Sequence, residues 1–285
     1  MGKEKFQNSL EKVSQISLLL ALPPPIWLNG GPPCWSTCLN EAEISLVDRP
    51  ITNEEIKASL WALKPFKAPG PDGLHTGFFQ RFWLLVRESI KNEIKHIFTE
   101  RVVQKYLNKT LITLIPKNRH PETLNNYRPI SLCNTIYKMV TKIIEARMRP
   151  LPPNLISPLP SAFISSRQGV DTIIIAQELI HSMARKKGRG GVMAIKLDLE
   201  KAYDRLERSF IRDTLNLYKF PSRLVSLIMS CVSSSSISIL VNGRALKPFY
   251  PSRGIRQGDP LSSYLFILCM EVLGALIEEK YKAKL

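Results

Sequence analysis

The sequence predicts a mixed α/β (α+β) domain, and three observations predict it. Apolar residues recur at helical spacing in several segments, short β-rich runs lie between them, and the two kinds of segment do not alternate strictly. The 285 residues are 44% hydrophobic, which excludes broad disorder and allows a sizeable core.

Residues 1–49 stand apart. A short polar helix candidate runs into PPPIWLNGGPPCW, whose prolines (Pro23–Pro25, Pro32, Pro33) and glycines (Gly30, Gly31) break regular structure. A poorly ordered lead-in is expected there. At Thr52 the texture changes. Thr52 and Glu55 have capping-box spacing, and Ile56, Leu60 and Leu63 then fall on one helical face. The loop KPFKAPGPDG (64–73) ends that helix. Phe79, Phe82, Trp83, Val86, Ile90, Ile94 and Ile97 make one continuous apolar stripe, predicting a longer helix. LITLI (111–115) predicts a strand closed by Pro116. Ser131–Arg147 predicts a helix with Leu132, Ile136, Val140 and Ile143 inward, and Ile173–Met183 predicts another. A basic turn follows, with Arg185, Lys186, Lys187 and Arg189 among glycines. Val192–Leu199 is nearly all apolar, as a buried strand is. Residues 237–241 and 244–249 flank Asn242-Gly243, the pair favoured in a type I′ hairpin turn. Leu261–Glu279 predicts an apolar helix.

Lys and Arg total 40 against 24 Asp and Glu, a formal net charge of +16. That balance favours a polyanionic partner, nucleic acid before a membrane surface. Cys34, Cys38, Cys133, Cys231 and Cys269 are odd in number and scattered, which argues against a disulfide framework and against zinc spacing. They read as reduced and intracellular. The apolar stretch ISLLLAL (16–22) is far short of the roughly 20 residues a spanning helix needs. Glu4 and Glu11 spoil it as a secretory leader. The expectation is a soluble protein of nucleus or cytoplasm, with no membrane partner.

Three segments carry chemistry. KLDLEKAYDRL (196–206) brings Asp198 to the end of a buried strand, where a carboxylate binds a hard cation such as Mg²⁺ or caps the following helix. The residues alone leave both open. SRGIRQGDPLSSYLF (252–266) is a donor-rich loop entering a helix, fit for an anion or simply a basic turn. LIPKNRHPETLNNYRPISL (114–132) places Lys117, Arg119, Tyr127 and Arg128 on irregular chain, suited to a triphosphate or to solvent.

Taken together, KAPGPDG (67–73), LIPK with YRPISL, SAFISSRQGVDTIIIAQE (161–178), IKLDLEKAYDRL and RGIRQGDPLSSYLF resemble, in order, the blocks of LINE-type (non-LTR) retrotransposon reverse transcriptases, nearest in wording to the plant elements. The resemblance runs from Pro50 to Glu279. It implies right-hand polymerase fingers over 50–190, part of a palm over 191–285, and no thumb. It implies an RNA-directed DNA polymerase using two Mg²⁺ ions, an RNA template, a DNA primer and a dNTP. Asp198 then matches the first palm carboxylate and Leu199 supplies a carbonyl ligand. Lys117 and Arg128 match the triphosphate clamp, Tyr203 the aromatic gate that excludes a ribose 2′-OH, and Gln257 and Gly258 the block along the nascent base pair. Arg167, Arg185, Lys186, Lys187 and Arg189 are weaker matches to template contacts. Asp204 is expected to pair with Arg205 or Arg208, and Asp259 to cap a helix. Two departures stand out. No Asp-Asp pair occurs in the sequence, and Ser263 replaces a proline usual in its block. The expectation is a truncated, inactive piece, with apolar surface uncovered on 192–199 and 261–279. A non-catalytic nucleic-acid binder is the alternative, and an intron maturase is disfavoured by the wording of the two later blocks.

Overall fold

A computed structural model of the chain describes residues 38–151, 155–157, 169–186, 199 and 201–282. The predicted strand 192–199, apart from Leu199, lies outside the described residues, as do Asp198, Arg167, Lys187 and Arg189.

The described chain opens with helix α1 (Glu41–Asp48), entered through a capping box: Glu43 N donates to Asn40 Oδ1 at 2.9 Å and Asn40 N to Glu43 Oε2 at 3.0 Å. Leu39 and Val47 are buried in the core, so the end of the expected lead-in packs. Helix α2 (Asn53–Trp61) starts as expected, with Glu55 N donating to Thr52 Oγ1 at 3.2 Å and Thr52 N to Glu55 Oε2 at 3.1 Å. Ile56 and Leu60 are fully buried.

The apolar stripe of 79–97 is two helices, α3 (Thr76–Arg81) and α4 (Trp83–Glu100). Phe82 breaks it at φ −99°, ψ 22°, with its ring 40% exposed. His75 Nδ1 caps α3 by accepting from Phe78 N. Between α2 and α3 the loop carrying KAPGPDG is fastened to Asn134. The Asn134 Oδ1 accepts from Asp72 N at 3.2 Å, and its Nδ2 donates to the Tyr106 and Leu107 carbonyls. A Cβ on Gly70 would lie 2.4 Å from Asn134 N and Oδ1, so only glycine fits there.

Among the described residues four strands form one sheet in the order β2-β1-β3-β4: β1 (Lys109–Pro116), β2 (Tyr127–Cys133), β3 (Ser236–Val241) and β4 (Arg244–Ala245). β1 runs antiparallel to β2 and parallel to β3, and β3 antiparallel to β4. Ser131 and Leu132, expected at a helix start, belong to β2, and helix α5 begins at Thr135 and runs to Met148. Pro129, which has no N–H to donate, is tolerated because β2 is an edge strand. The hairpin turns at Asn242 (φ 49°) and Gly243 (φ 77°), as a type I′ turn requires. Its second arm keeps one register through Leu246, whose N donates to Ile239 O at 2.9 Å, before shifting by one residue. The register Val241↔Arg244 would set Ile237 opposite Pro248, but Ile237 exchanges its two bonds with Phe249, both at 2.9 Å. Proline cannot donate, so the arm bulges past it.

Helix α6 (Gly169–Arg185) matches the predicted one and exposes Val170, Ile173, Ile174, Leu179 and Ile180. Helix α7 (Ala202–Arg205) is the helix expected soon after Asp198, and two helices had no sequence forecast: α8 (Arg208–Leu217) and α9 (Ser222–Ser233). Helix α10 (Ser262–Lys282) corrects the expectation of an uncovered face over its described side chains, which reach residue 275. Leu265, Leu268, Cys269 and Val272 are buried, and the helix packs on α8. The core joins these residues to Tyr137, Met139, Ile143 and Ile144 of α5 and to Ile211 and Leu215 of α8. Each such aliphatic side chain contributes roughly 1.5–3 kcal/mol by leaving water. No described helix is long and apolar enough to cross a membrane.

One residue works against this core. Arg208, in the first turn of α8, buries Nε and Nη2 with no hydrogen-bond partner among the described residues. Burial, then the positive charge of Arg256, push its pKa down. An unpaired buried donor costs about 1–3 kcal/mol. Arg208→Leu is therefore expected to raise the urea midpoint, and a lowered midpoint would show that the guanidinium is satisfied in solution.

Candidate functional site

An open cavity of about 330 Å³ lies against the inner face of the sheet. Its wall brings together Pro129 and Ser131 of β2, Lys201, Asp204 and Arg205 around α7, and the segment Arg253–Gln257. Those are the three segments that the sequence singled out. Main-chain bonds stitch them. Gly254 N donates to Leu206 O at 2.8 Å, Ile255 N to Tyr203 O at 2.9 Å, and Ser131 N to Gln257 O at 3.0 Å. Gly254 sits at φ +84°, and a Cβ there would lie 2.9 Å from Asp204 O. Both conformation and contact demand glycine, which lets the 253–257 segment lie flush on the α7 backbone.

Behind the cavity wall is a buried charged cluster. Arg256 Nη1 donates to Thr110 Oγ1 at 2.9 Å, and Nη2 donates to Cys231 O at 2.7 Å and to Tyr137 OH. The guanidinium also lies over the Tyr137 ring, 4.1 Å from its centroid. Tyr137 OH donates to Asp259 Oδ2 at 2.6 Å, and Asp259 stands 3.8 Å from Arg256 Nε. Burial opposes the charge on Arg256, and Tyr137, Cys133, Asp259 and Cys231 more than offset it. Arg256 thus spends Nη1 and Nη2 on buried partners and fixes the wall, unlike the open donor that the 252–266 loop suggested. Asp259 caps as expected, accepting from Leu261 N at 3.1 Å, and carries the ion pair as well.

At the rim, two ammonium groups meet on Asn125 in the loop between β1 and β2. Lys117 Nζ donates to Asn125 O at 2.8 Å and Lys201 Nζ to Asn125 Oδ1 at 3.1 Å. Lys201 adopts φ 52° and is the charge that acts on Asp204. Burial raises the Asp204 pKa and Lys201 opposes it. Of the two arginines expected beside Asp204, Arg208 leaves Nε and Nη2 without a partner among the described residues, and the charge that acts on Asp204 is that of Lys201.

The remaining sequence candidates fall as follows. Gln257 lines the cavity and Gly258 follows it at φ +103°. Tyr203 stacks on Phe266, ring centroids 4.8 Å apart and 21° between planes. Arg128 pairs with Ile115 and alternates to the opposite face of β2 from Pro129 and Ser131. Arg185 and Lys186 are exposed at the end of α6, and Leu199 is 49% exposed. Asn125, Tyr137 and Lys201 escaped the sequence reading. Lys201 lay inside a recognised block, whereas nothing local distinguishes Tyr137 from other core aromatics.

Among the described residues no group of three or more His, Cys, Asp and Glu converges on one point. The described part of the site therefore does not complete a divalent-cation cradle, and the hard oxygen donors such an ion needs would have to include Asp198.

Residues 115–285, more than half of the chain, match the family model for "Reverse transcriptase (RNA-dependent DNA polymerase)". The chain is 29% identical to a transposon TX1 uncharacterized 149 kDa protein of Xenopus laevis, over 85% of this chain and 18% of that protein. It is 31% identical to the retrovirus-related Pol polyprotein from a type-1 retrotransposable element R2 of Nasonia vitripennis, over 82% of this chain and 22% of that protein. It is 24% identical to the RNA-directed DNA polymerase from mobile element jockey of Drosophila funebris, over 79% of this chain and 24% of that protein. The chain thus spans about a fifth of the length of the curated relatives it matches.

Proposed function

Because the chain belongs to the reverse transcriptase (RNA-dependent DNA polymerase) family of non-LTR retroelements, we propose that its cavity is the nucleotide end of an RNA-directed DNA polymerase site. The observation that carries this reading is the convergence of the β2 edge, the α7 block and the 253–257 segment on one cavity lined by Lys201, which shares Asn125 with Lys117. Residues 50–190 act as fingers and 191–285 as part of a palm. Lys117 and Arg128 hold the triphosphate of a dNTP, one as a point charge and one as a planar fork, with Arg128 reaching it past the start of β2 because its strand position faces away from the cavity lining. The two ammonium groups now on Asn125 are free to exchange that neutral acceptor for phosphate oxygens, which make stronger charge-assisted bonds. Tyr203, held by Phe266, screens the sugar. Gln257 and Gly258 lie along the new base pair. Arg167, Arg185, Lys186, Lys187 and Arg189 contact RNA template phosphates.

Reverse transcriptases generally use divalent metal ions. When bound, they polarise the primer hydroxyl and steady the departing pyrophosphate. Asp198 and the Leu199 carbonyl would hold Mg²⁺ here. Two ions about 3.5–4 Å apart need more carboxylate than Asp198 supplies, and no two aspartates are adjacent in these 285 residues. That observation favours a second reading for the polypeptide by itself, a nucleic-acid binder without catalysis.

One assay series tests both readings. The purified 285-residue chain is given an RNA template, a DNA primer, Mg²⁺ and dNTPs. No primer extension is expected, and extension would overturn the inactivity. Photo-crosslinking of a dNTP analogue in the presence of template and primer is expected, and to fall about tenfold in Lys117→Ala and Arg128→Ala, the effect of losing one charged hydrogen bond. Template binding without any dNTP crosslink would leave the binder alone standing.

A further inference from the structure

A second cavity, larger than the first at about 440 Å³, lies between the α1–α2 connection, the C-terminal part of α4 and the start of α9. It shares no lining residue with the candidate polymerase cavity. Its floor is apolar, formed by Ile51, Phe98, Leu224 and Leu227. Its wall is cationic. Arg49 and Arg147 are already committed to Glu55, at 3.0 and 2.9 Å. Lys95, Arg101 and Arg223 make no ion pair among the described residues, and Asp48 is the one carboxylate in the lining. Three uncommitted cations therefore face one anionic side chain.

Backbone geometry adds to this imbalance. Arg223 is the second residue of α9, a 12-residue helix whose N-cap, Pro221, contributes no side-chain hydrogen bond. Leu224 N and Val225 N donate to Pro221 O, which leaves the N–H groups of Ser222 and Arg223 as the donors at this helix start, and a helix start favours anions. Arg101 ends α4 in the left-handed conformation at φ 58°, which turns the chain at that wall. The five-bond clamp of Arg147 on Val47, Arg49, Pro50 and Glu55 fixes the opposite wall, so the cavity is held open by buried structure.

We propose that this cavity is a phosphate-binding site outside the polymerase cavity, formed by Lys95, Arg101 and Arg223. Three cationic residues lining one cavity with an apolar floor suit a phosphate oxyanion carrying an apolar body, as on an RNA strand, or inorganic phosphate alone. The site does not depend on the polymerase reading and survives its failure.

The test uses the whole chain and the variants Arg223→Glu and Lys95→Glu, with Lys247→Glu on the exposed hairpin as an equal charge change elsewhere. Thermal melting first establishes that each variant folds, and Arg223→Gln replaces any that does not. In one arm, fluorescence anisotropy follows a labelled single-stranded RNA against salt. The cavity variants should lose on the order of tenfold in affinity, and the log–log salt slope should fall by about 0.7 for each phosphate contact removed, with a smaller change in Lys247→Glu. In the other arm, inorganic phosphate should raise the melting temperature of the wild type more than that of the cavity variants. A response in the RNA arm assigns the site to strand phosphate, and a response in the phosphate arm alone assigns it to the free ion. Cavity variants that match Lys247→Glu in both arms overturn the proposal.

Discussion

Arg256→Met is expected to lower folding stability by about 3–5 kcal/mol, the usual cost of removing one partner from a buried charge cluster. The substitution keeps most of the side-chain volume and removes only the donors. Asp259, Tyr137 OH, Thr110 Oγ1 and the Cys231 carbonyl would then each lose a partner inside the core. Stability here is the free energy from urea titration. A cycle with Asp259→Asn isolates the pair. Asparagine keeps an acceptor for Leu261 N and drops the charge, so the double variant should be less destabilised than the sum of the singles. Additive losses would mean that Arg256 and Asp259 do not depend on each other, and a loss below about 1 kcal/mol would place the guanidinium in water. The effect also reaches the cavity, because Arg256 lies between Ile255, bonded to α7, and Gln257, bonded to β2.

Much of this architecture is legible from local chemistry. The Thr52/Glu55 capping box, the Asn242-Gly243 turn and the apolar run of α10 each declare themselves within a few residues, because short-range bonds or side-chain periodicity create them. Asn40/Glu43 is an equally good box, masked by the proline-rich stretch before it. Ser131 and Leu132 misread as helix because Leu132, Ile136 and Val140 keep a spacing of four, while the edge-strand meaning of Pro129 depends on its partner in β1, Leu114, which is distant in sequence. Phe82 fits the helical stripe in spacing, yet the chain kinks there because its ring finds Phe78 rather than the core. The family blocks located the candidate site, but not how its parts are used. An arginine between glycine-rich turns reads as an exposed donor. Only the tertiary approach of Tyr137 and Asp259 converts Arg256 into structure.

Glu55 should make the N-terminal helices acid-labile, with the second largest effect. Burial by itself would raise its pKa, but hydrogen bonds from Arg147 and Arg49, the charge of Arg147 and the backbone bond from Thr52 bring it down to about 2 from an ordinary 4.5. A folded-state pKa below the unfolded one means that folding favours the ionised form. The stabilisation is fully present above pH 4.5 and is lost as pH falls toward 2. A shift of that size corresponds to about 3 kcal/mol to order of magnitude, and with the Glu55 side chain only 17% exposed, solvent screens little of it. Comparing Glu55→Gln with wild type removes the contribution of every other titrating carboxylate. The stability gap should be about 3 kcal/mol at neutral pH and shrink by more than half near pH 3. A gap that stays constant over that range would mean that Arg147 holds the α1–α2 connection through the Val47, Arg49 and Pro50 carbonyls without help from the Glu55 charge. The same clamp frames the cationic cavity, so acid that neutralises Glu55 should also loosen the wall built on Arg49 and Arg147.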